Sequence, residues 1–191
     1  MVLSLDEVKL KLKETLNKSR YEHVLRVGDT ALRLNKDLNL GLNDEKVVYA
    51  AILHDCAKHN EEKYYEMFKS KYNLKEDVFE YFPIAHAILG EIVAKEIYGI
   101  NDAEILSSIR WHTTGKENMT KLEKLVFIAD FVEPGRTFKD AKIVRDELYV
   151  NFDRGILLCL DLTIKHLIDN HVIINVETIK ARNYLQRRVN E

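Results

Sequence analysis

Four histidines and two aspartates carry the chemistry open to this sequence. His23 lies in the first turn of a helical segment, "RYEHVLRV", and His86 follows Pro83 in the first turn of "PIAHAILGEIV". His54 closes the apolar run "AAILH" and stands beside Asp55, His112 closes "AEILSSIRWH", and Asp130 ends "LEKLVFIAD". Imidazole nitrogens and carboxylate oxygens suit one or two divalent cations such as iron, manganese, zinc or nickel, and a carboxylate can bridge two ions. No thiolate joins the set, which disfavours a closed structural zinc site. Taken singly, each histidine reads more readily as a hydrogen-bonded structural residue than as a ligand. Together, six polar groups terminating apolar runs need compensation once buried, and a cation provides it. His166 and His171 are read as structural; His59 is kept as a candidate proton donor.

These residues converge only if particular elements place them. Each sits near one end of an apolar helix. In a bundle of alternating direction, the starts at His23 and His86 meet the ends at His54-Asp55, His112 and Asp130. Adjacent residues on a helix point about 100° apart. His54 and Asp55 therefore share a site only beyond a helix end or between two helix faces.

The periodicity predicts an all-α, single-domain helical bundle. Proline occurs twice and glycine seven times, too few for many tight hairpins. In "YEHVLRVGDTALRLNKDL" the residues Val24, Val27, Ala31, Leu34 and Leu38 fall on one face. Helices are expected near 4–17, 19–39, 43–58, 61–71, 83–98, 102–112, 120–132, 139–170 (broken somewhere within) and 175–188, with a core of about 19–135 on which the helices of 139–188 pack. Ser4…Glu7, Ser19…Glu22 and Thr120…Glu123 fit capping boxes, and Asn101…Glu104 is a looser version. Gly99-Ile100 reads as a left-handed helix stop, and Pro134-Gly135 as a break.

The remaining bounds are permissive. The 191 residues allow one full-sized core. A net charge of −2 gives no general affinity for nucleic acid polymers. No stretch is long and apolar enough to span a membrane, "GILLCLDLTI" being interrupted by Asp161. Cys56 and Cys159 read as buried thiols of a reducing compartment. A cytoplasmic location is expected, with neither signal peptide nor membrane anchor.

The order of the chemical residues resembles the HD superfamily of metal-dependent phosphohydrolases: a lone histidine, a His-Asp pair, further histidines and a distal aspartate. "AAILHDCAKH" and "IRWHTTGKENMTKLEKLVFIADFVEPGR" are similar to its YqeK-type branch of symmetrical dinucleoside-tetraphosphate hydrolases, over roughly residues 5 to 188. That resemblance implies cleavage of diadenosine tetraphosphate into two ADP by a metal-activated water attacking phosphorus. It also implies His23, His54, Asp55, His86, His112 and Asp130 as metal ligands. Two divalent ions are expected, with iron ahead of manganese, cobalt, nickel and zinc. Asp55, His54, Lys58 and Arg136 are the candidate catalytic residues. The implied nucleotide contacts are Arg20, Asp55, Lys58, His86, Thr113, Thr114, Gly115, Arg136, Thr137 and Arg182.

Each cationic candidate also has a bland role. Arg20 can be a surface residue, Lys58 a helix-end cation, "TTG" a helix stop, and Arg182 part of a solvated face. Tyr21, Phe82 and Trp111 could stack a base, although core packing is the commoner use. Other readings stay open: another HD nucleotide phosphohydrolase, such as a nucleoside triphosphatase or guanosine-tetraphosphate hydrolase, or a non-catalytic nucleotide sensor. The "HHExxDGxGYP" segment expected of a cyclic-dinucleotide phosphodiesterase is missing, as is a phosphate-binding P-loop. The amphipathic last helices could build a homodimer.

Overall fold

Helices form where the apolar spacing calls for them. The computed structural model describes residues 3–80 and 82–189, which make ten α-helices, one short 3-10 turn and no strand. The first is α1 (Leu5–Thr15), closed by the expected Ser4–Glu7 capping box. Helix α2 (Lys18–Asp37) buries His23, Val24, Val27, Ala31 and Leu34 along one stripe. Its cap is Asn17, whose side chain accepts from the Arg20 amide, so the expected Ser19–Glu22 box does not form: Ser19 already lies inside the helix.

Helices α3 (Asp44–Leu53), α4 (Glu61–Tyr72), α5 (Phe82–Glu96), α6 (Ala103–Trp111) and α7 (Lys121–Val132) complete the part that matters for the site. Helix α2 packs on α3 and α7, α5 on α6, and α6 on α7. The α2–α3 approach is close: a Cβ on Gly28 would lie 2.9 Å from Ile52 Cγ2. At α6 the cap is Asp102, one residue past the expected Asn101; its carboxylate accepts from the amides of Glu104 and Ile105. Thr120 and Glu123 make the full box on α7. Gly99 takes φ +74°, and the Ile100 amide donates to the Ala94 carbonyl, the left-handed stop expected there.

Beyond the Pro-Gly break run α8 (Lys139–Val150), α9 (Phe152–Asp169) and α10 (Val176–Val189). The expected break in 139–170 falls at Asn151, which ends α8 and caps α9 by accepting from the Arg154 amide. Helices α8 and α9 pack on each other and on α7, and α10 packs on α9. One continuous apolar core runs from Val8 to Leu185. The Phe82 side chain, a candidate for base stacking, lies outside the described set. No helix among the described residues is long and apolar enough to cross a membrane.

Candidate metal centre

Five helix ends meet on one side of the bundle. Early turns of α2 and α5 contribute His23 and His86. The ends of α3, α6 and α7 contribute His54, His112 and Asp130. The helix expected over 43–58 stops at Leu53, and this shortening answers the His54-Asp55 problem. Tight turns follow, with Cys56, Lys58 and Asn60 amides bonding carbonyls three residues back. Wound more tightly than an α-helix, residues 54 and 55 both face the convergence.

Asp55 is the centre of the cluster. One carboxylate oxygen, Oδ2, lies 3.4 Å from His54 Nε2 and 3.8 Å from His23 Nε2. The other, Oδ1, lies 3.2 Å from His86 Nε2 and 3.7 Å from His112 Nε2. Asp130 Oδ1 stands 3.0 Å from His23 Nε2 and 3.9 Å from His54 Nε2. Three overlapping groups can each hold a cation: His23-His54-Asp55, His54-His112-Asp130 and Asp55-His86-His112, with ligand atoms within 4.8 Å of one another.

The tautomers are set from behind. A carbonyl oxygen only accepts, so the His54 Nδ1–H donates to Ala51 at 2.6 Å and the His112 Nδ1–H to Ile109 at 2.7 Å. His23 Nδ1–H donates to Glu133 Oε1 at 3.1 Å. In its neutral form each therefore turns a bare Nε2 lone pair inward, the usual second-shell arrangement of ligating histidines. His23 Nε2 and His54 Nε2 are buried without a hydrogen-bond partner. An orphaned buried acceptor is unfavourable, and a divalent cation is the partner that fits this donor set. His86 differs. The Lys58 ammonium donates to its Nδ1 at 3.0 Å, so the ring presents Nε2–H toward His112 Nε2, 3.1 Å away.

Electrostatics favour keeping the acids ionised. Burial opposes the Asp55 anion, yet His54, His86 and His112 hold its pKa well below the usual carboxylate range. Asp130 behaves likewise, with His23, His54 and Arg136 outweighing its burial. Burial, followed by the charges of His54 and His86, pushes His112 down to about 3, so it stays neutral and able to ligate. Burial lowers the Lys58 pKa.

The cationic candidates divide. Arg20 reaches Asp55 Oδ2 at 2.7 Å, and Arg136 reaches Asp130 Oδ1 at 2.8 Å. Thr113 Oγ1 lies 3.1 Å from His112 Nε2. Thr114 instead turns its buried hydroxyl back to the Gly115 carbonyl. Gly115, at φ +65°, ends α6 by donating its N–H to the Trp111 carbonyl and sits where a Cβ would press on Ala181 at 3.1 Å. The bland reading of Thr114-Gly115 as a helix stop thus describes their contacts here. Arg182 bonds Asp161 and Gln186 and makes no hydrogen bond to the six clustered groups. Thr137 is exposed. His59 is exposed at φ +64°, a turn residue without a hydrogen bond to the cluster. Tyr21 packs against the core, and the Arg110 guanidinium lies 4.6 Å from the Trp111 ring.

Three residues that sequence reasoning passed over support the cluster. Glu133, 2 % exposed, accepts from His23 and from Arg26 Nε at 2.7 Å, and from the Gly135 amide at 2.6 Å. Arg145 on α8 donates to the carbonyls of Val132, Glu133 and Arg136. The only signal was the glutamate itself, an anion beside a Pro-Gly break at the end of an apolar run. A Cβ on Gly135 would meet the side-chain ends of Arg26 and Glu133 at 2.8 Å, so these ends must shift to admit it. Gly135→Ala is expected to displace the Glu133 carboxylate from His23 and weaken metal binding about 10- to 100-fold, the usual loss for a broken second shell. Metal titration followed by calorimetry reads it; an affinity within twofold of the parent would refute the role.

Comparison with known proteins agrees with this geometry. The HD domain family model matches residues 20–135. A symmetrical bis(5'-nucleosyl)-tetraphosphatase of Staphylococcus aureus is 37% identical over 95% of this chain and 94% of its own length. The protein of that name from Halalkalibacterium halodurans is 33% identical over 91% and 92%. The crystal structure of a predicted HD superfamily hydrolase from Clostridium acetobutylicum, described as involved in NAD metabolism, superposes with a TM-score of 0.90 at 38% identity, covering 98% of this chain and 100% of that one. The chain belongs to the HD domain family, within the group of the symmetrical bis(5'-nucleosyl)-tetraphosphatases.

Proposed function

We propose that the protein is a metal-dependent hydrolase that cleaves diadenosine tetraphosphate symmetrically into two ADP. The observation that carries the reading is the inward set of orphaned imidazole nitrogens around Asp55 and Asp130. His23, His54, Asp55, His86, His112 and Asp130 would hold two divalent ions, iron foremost. Such ions acidify water and polarise phosphoryl oxygens when bound. The chain's own part is positioning and charge. Arg20 and Arg136 stand against the two carboxylates and are within reach of an incoming polyphosphate, whose charge they would offset. Lys58 and Thr113 add donors at the His86–His112 side. Attack by water needs no serine or cysteine nucleophile. We further propose that the chain folds as one domain, with 139–188 packed on the 19–135 core, and that it acts in the cytoplasm. A homodimer remains part of the proposal.

A second reading has its own support. The Lys58 contact turns His86 into a donor, which leaves His23, His54, Asp55 and Asp130 as a one-ion set. In that case His86 Nε2–H would face a phosphoryl oxygen. Elemental analysis separates the two: two ions per chain for the first, one for the second. The activity itself is tested by product identity. ADP alone is expected from diadenosine tetraphosphate, with loss of turnover on chelation; AMP plus ATP, or turnover after complete metal removal, would defeat the proposal.

A further inference from the structure

The cluster opens on one flank into a cleft of about 550 Å³ between α7, the start of α8 and α9. His112, Thr113 and Asp130 line its inner end, so the cleft is continuous with the metal centre. Its walls are of another character: Phe127, Phe131, Phe138 and Leu162. Phe127 is buried and forms the floor, whereas Phe138 is 44% exposed at the rim. The rings of Phe131 and Phe138 stand 5.3 Å apart at 85°, leaving an aromatic corner. His166 and Thr163 of α9 supply polar groups along one side, and Lys139 and Asp140 at the start of α8 add one charge of each sign beside Phe138. The volume lies within the roughly 300–1,000 Å³ of small-molecule sites.

A site that is ionic at one end and aromatic at the other matches a nucleotide, phosphates inward and base outward. We propose that this cleft is a nucleoside subsite, in which the adenosine of one half of the dinucleotide packs against Phe131, Phe138 and Leu162. The inference rests on the hydrolase reading and deepens it, because a substrate carrying two nucleosides needs a place for each. On the other side of Thr113, Thr114 lines with Trp111 a smaller cavity of about 180 Å³ beneath the start of α10. That volume is below the usual range for a whole ligand. The aromatic cleft is therefore the one that this conformation makes ready.

Photolabelling of the full chain with 8-azidoadenosine 5'-diphosphate, followed by peptide mapping, tests the assignment without depending on turnover. Adducts are expected on residues 131–140 or 158–166. Their absence from both segments would overturn the proposal, whatever else is labelled. Phe138→Ala truncates an exposed ring and spares the core. It should reduce labelling of these segments about tenfold and raise KM for diadenosine tetraphosphate about tenfold, the expected effect of losing one base–aromatic stack. Unchanged labelling and KM in this variant would sink the aromatic corner. Turnover of diadenosine tetraphosphate with an unlabelled cleft removes this inference alone; a labelled cleft without such turnover removes the hydrolase reading alone.

Discussion

Asp55→Asn is expected to lower the rate of diadenosine tetraphosphate hydrolysis by at least about 10³-fold while leaving the chain folded. Losing one pre-organised electrostatic contact costs about 10²- to 10³-fold, and here a full charge at the centre of the site is lost. Each carboxylate oxygen of Asp55 faces a different pair of imidazoles. An amide of the same shape can offer an oxygen to one pair only, and its nitrogen presents hydrogens to the other. Arg20, now 2.7 Å from the carboxylate, also loses its anionic partner. The volume is conserved, so the surrounding core keeps its packing. Far-UV circular dichroism and size-exclusion profiles should match the parent, and bound metal should fall. Turnover within tenfold of the parent would show that Asp55 is not at the centre of the chemistry.

Removal of the metal should lower the melting temperature by about 8–16 °C. A ligand present at 1,000 times its dissociation constant stabilises the folded state by about 4 kcal/mol. Each kcal/mol moves the midpoint of a chain of this size by about 2–4 °C. The metal-free chain is nevertheless expected to stay folded, because both acids have partners within the protein: Arg20 pairs with Asp55, and Arg136 with Asp130. Without a cation, the lone pairs of His23 and His54 are left buried and unmatched. Scanning calorimetry with and without chelator measures the difference, and coincident transitions would contradict a cation at this position.

The site was legible because its residues obey a simple spatial rule. His23 and His86 begin helices, His54, His112 and Asp130 end them, and antiparallel packing puts such ends together. The capping boxes at Ser4 and Thr120 were readable for the same reason, being local chemistry. Ser19–Glu22 failed because Asn17 offers an equally good cap two residues earlier. The helix through His54 was read too long: its apolar sequence continues past Leu53, and only the packing of five helix ends forces the chain into tighter turns there. Residues acting across the fold were the ones missed. Nothing in the sequence around Arg26 or Arg145 points to Glu133 and the neighbouring carbonyls that they bind across the fold. For Thr114 and Arg182 the sequence leaves a nucleotide contact and a bland role open, since a hydroxyl near a ligand or an arginine on a late helix says nothing about which way it turns; here they turn to Gly115 and to Asp161.

The match to the family ends at residue 135, yet Arg145 grips the loop at Val132, Glu133 and Arg136 from beyond that border. Modularity is accordingly limited. Whoever transplants the matched segment into a chimera, or trims it to a minimal catalytic unit, must bring α8 along, because the loop beside the ionic cluster is braced from its far side.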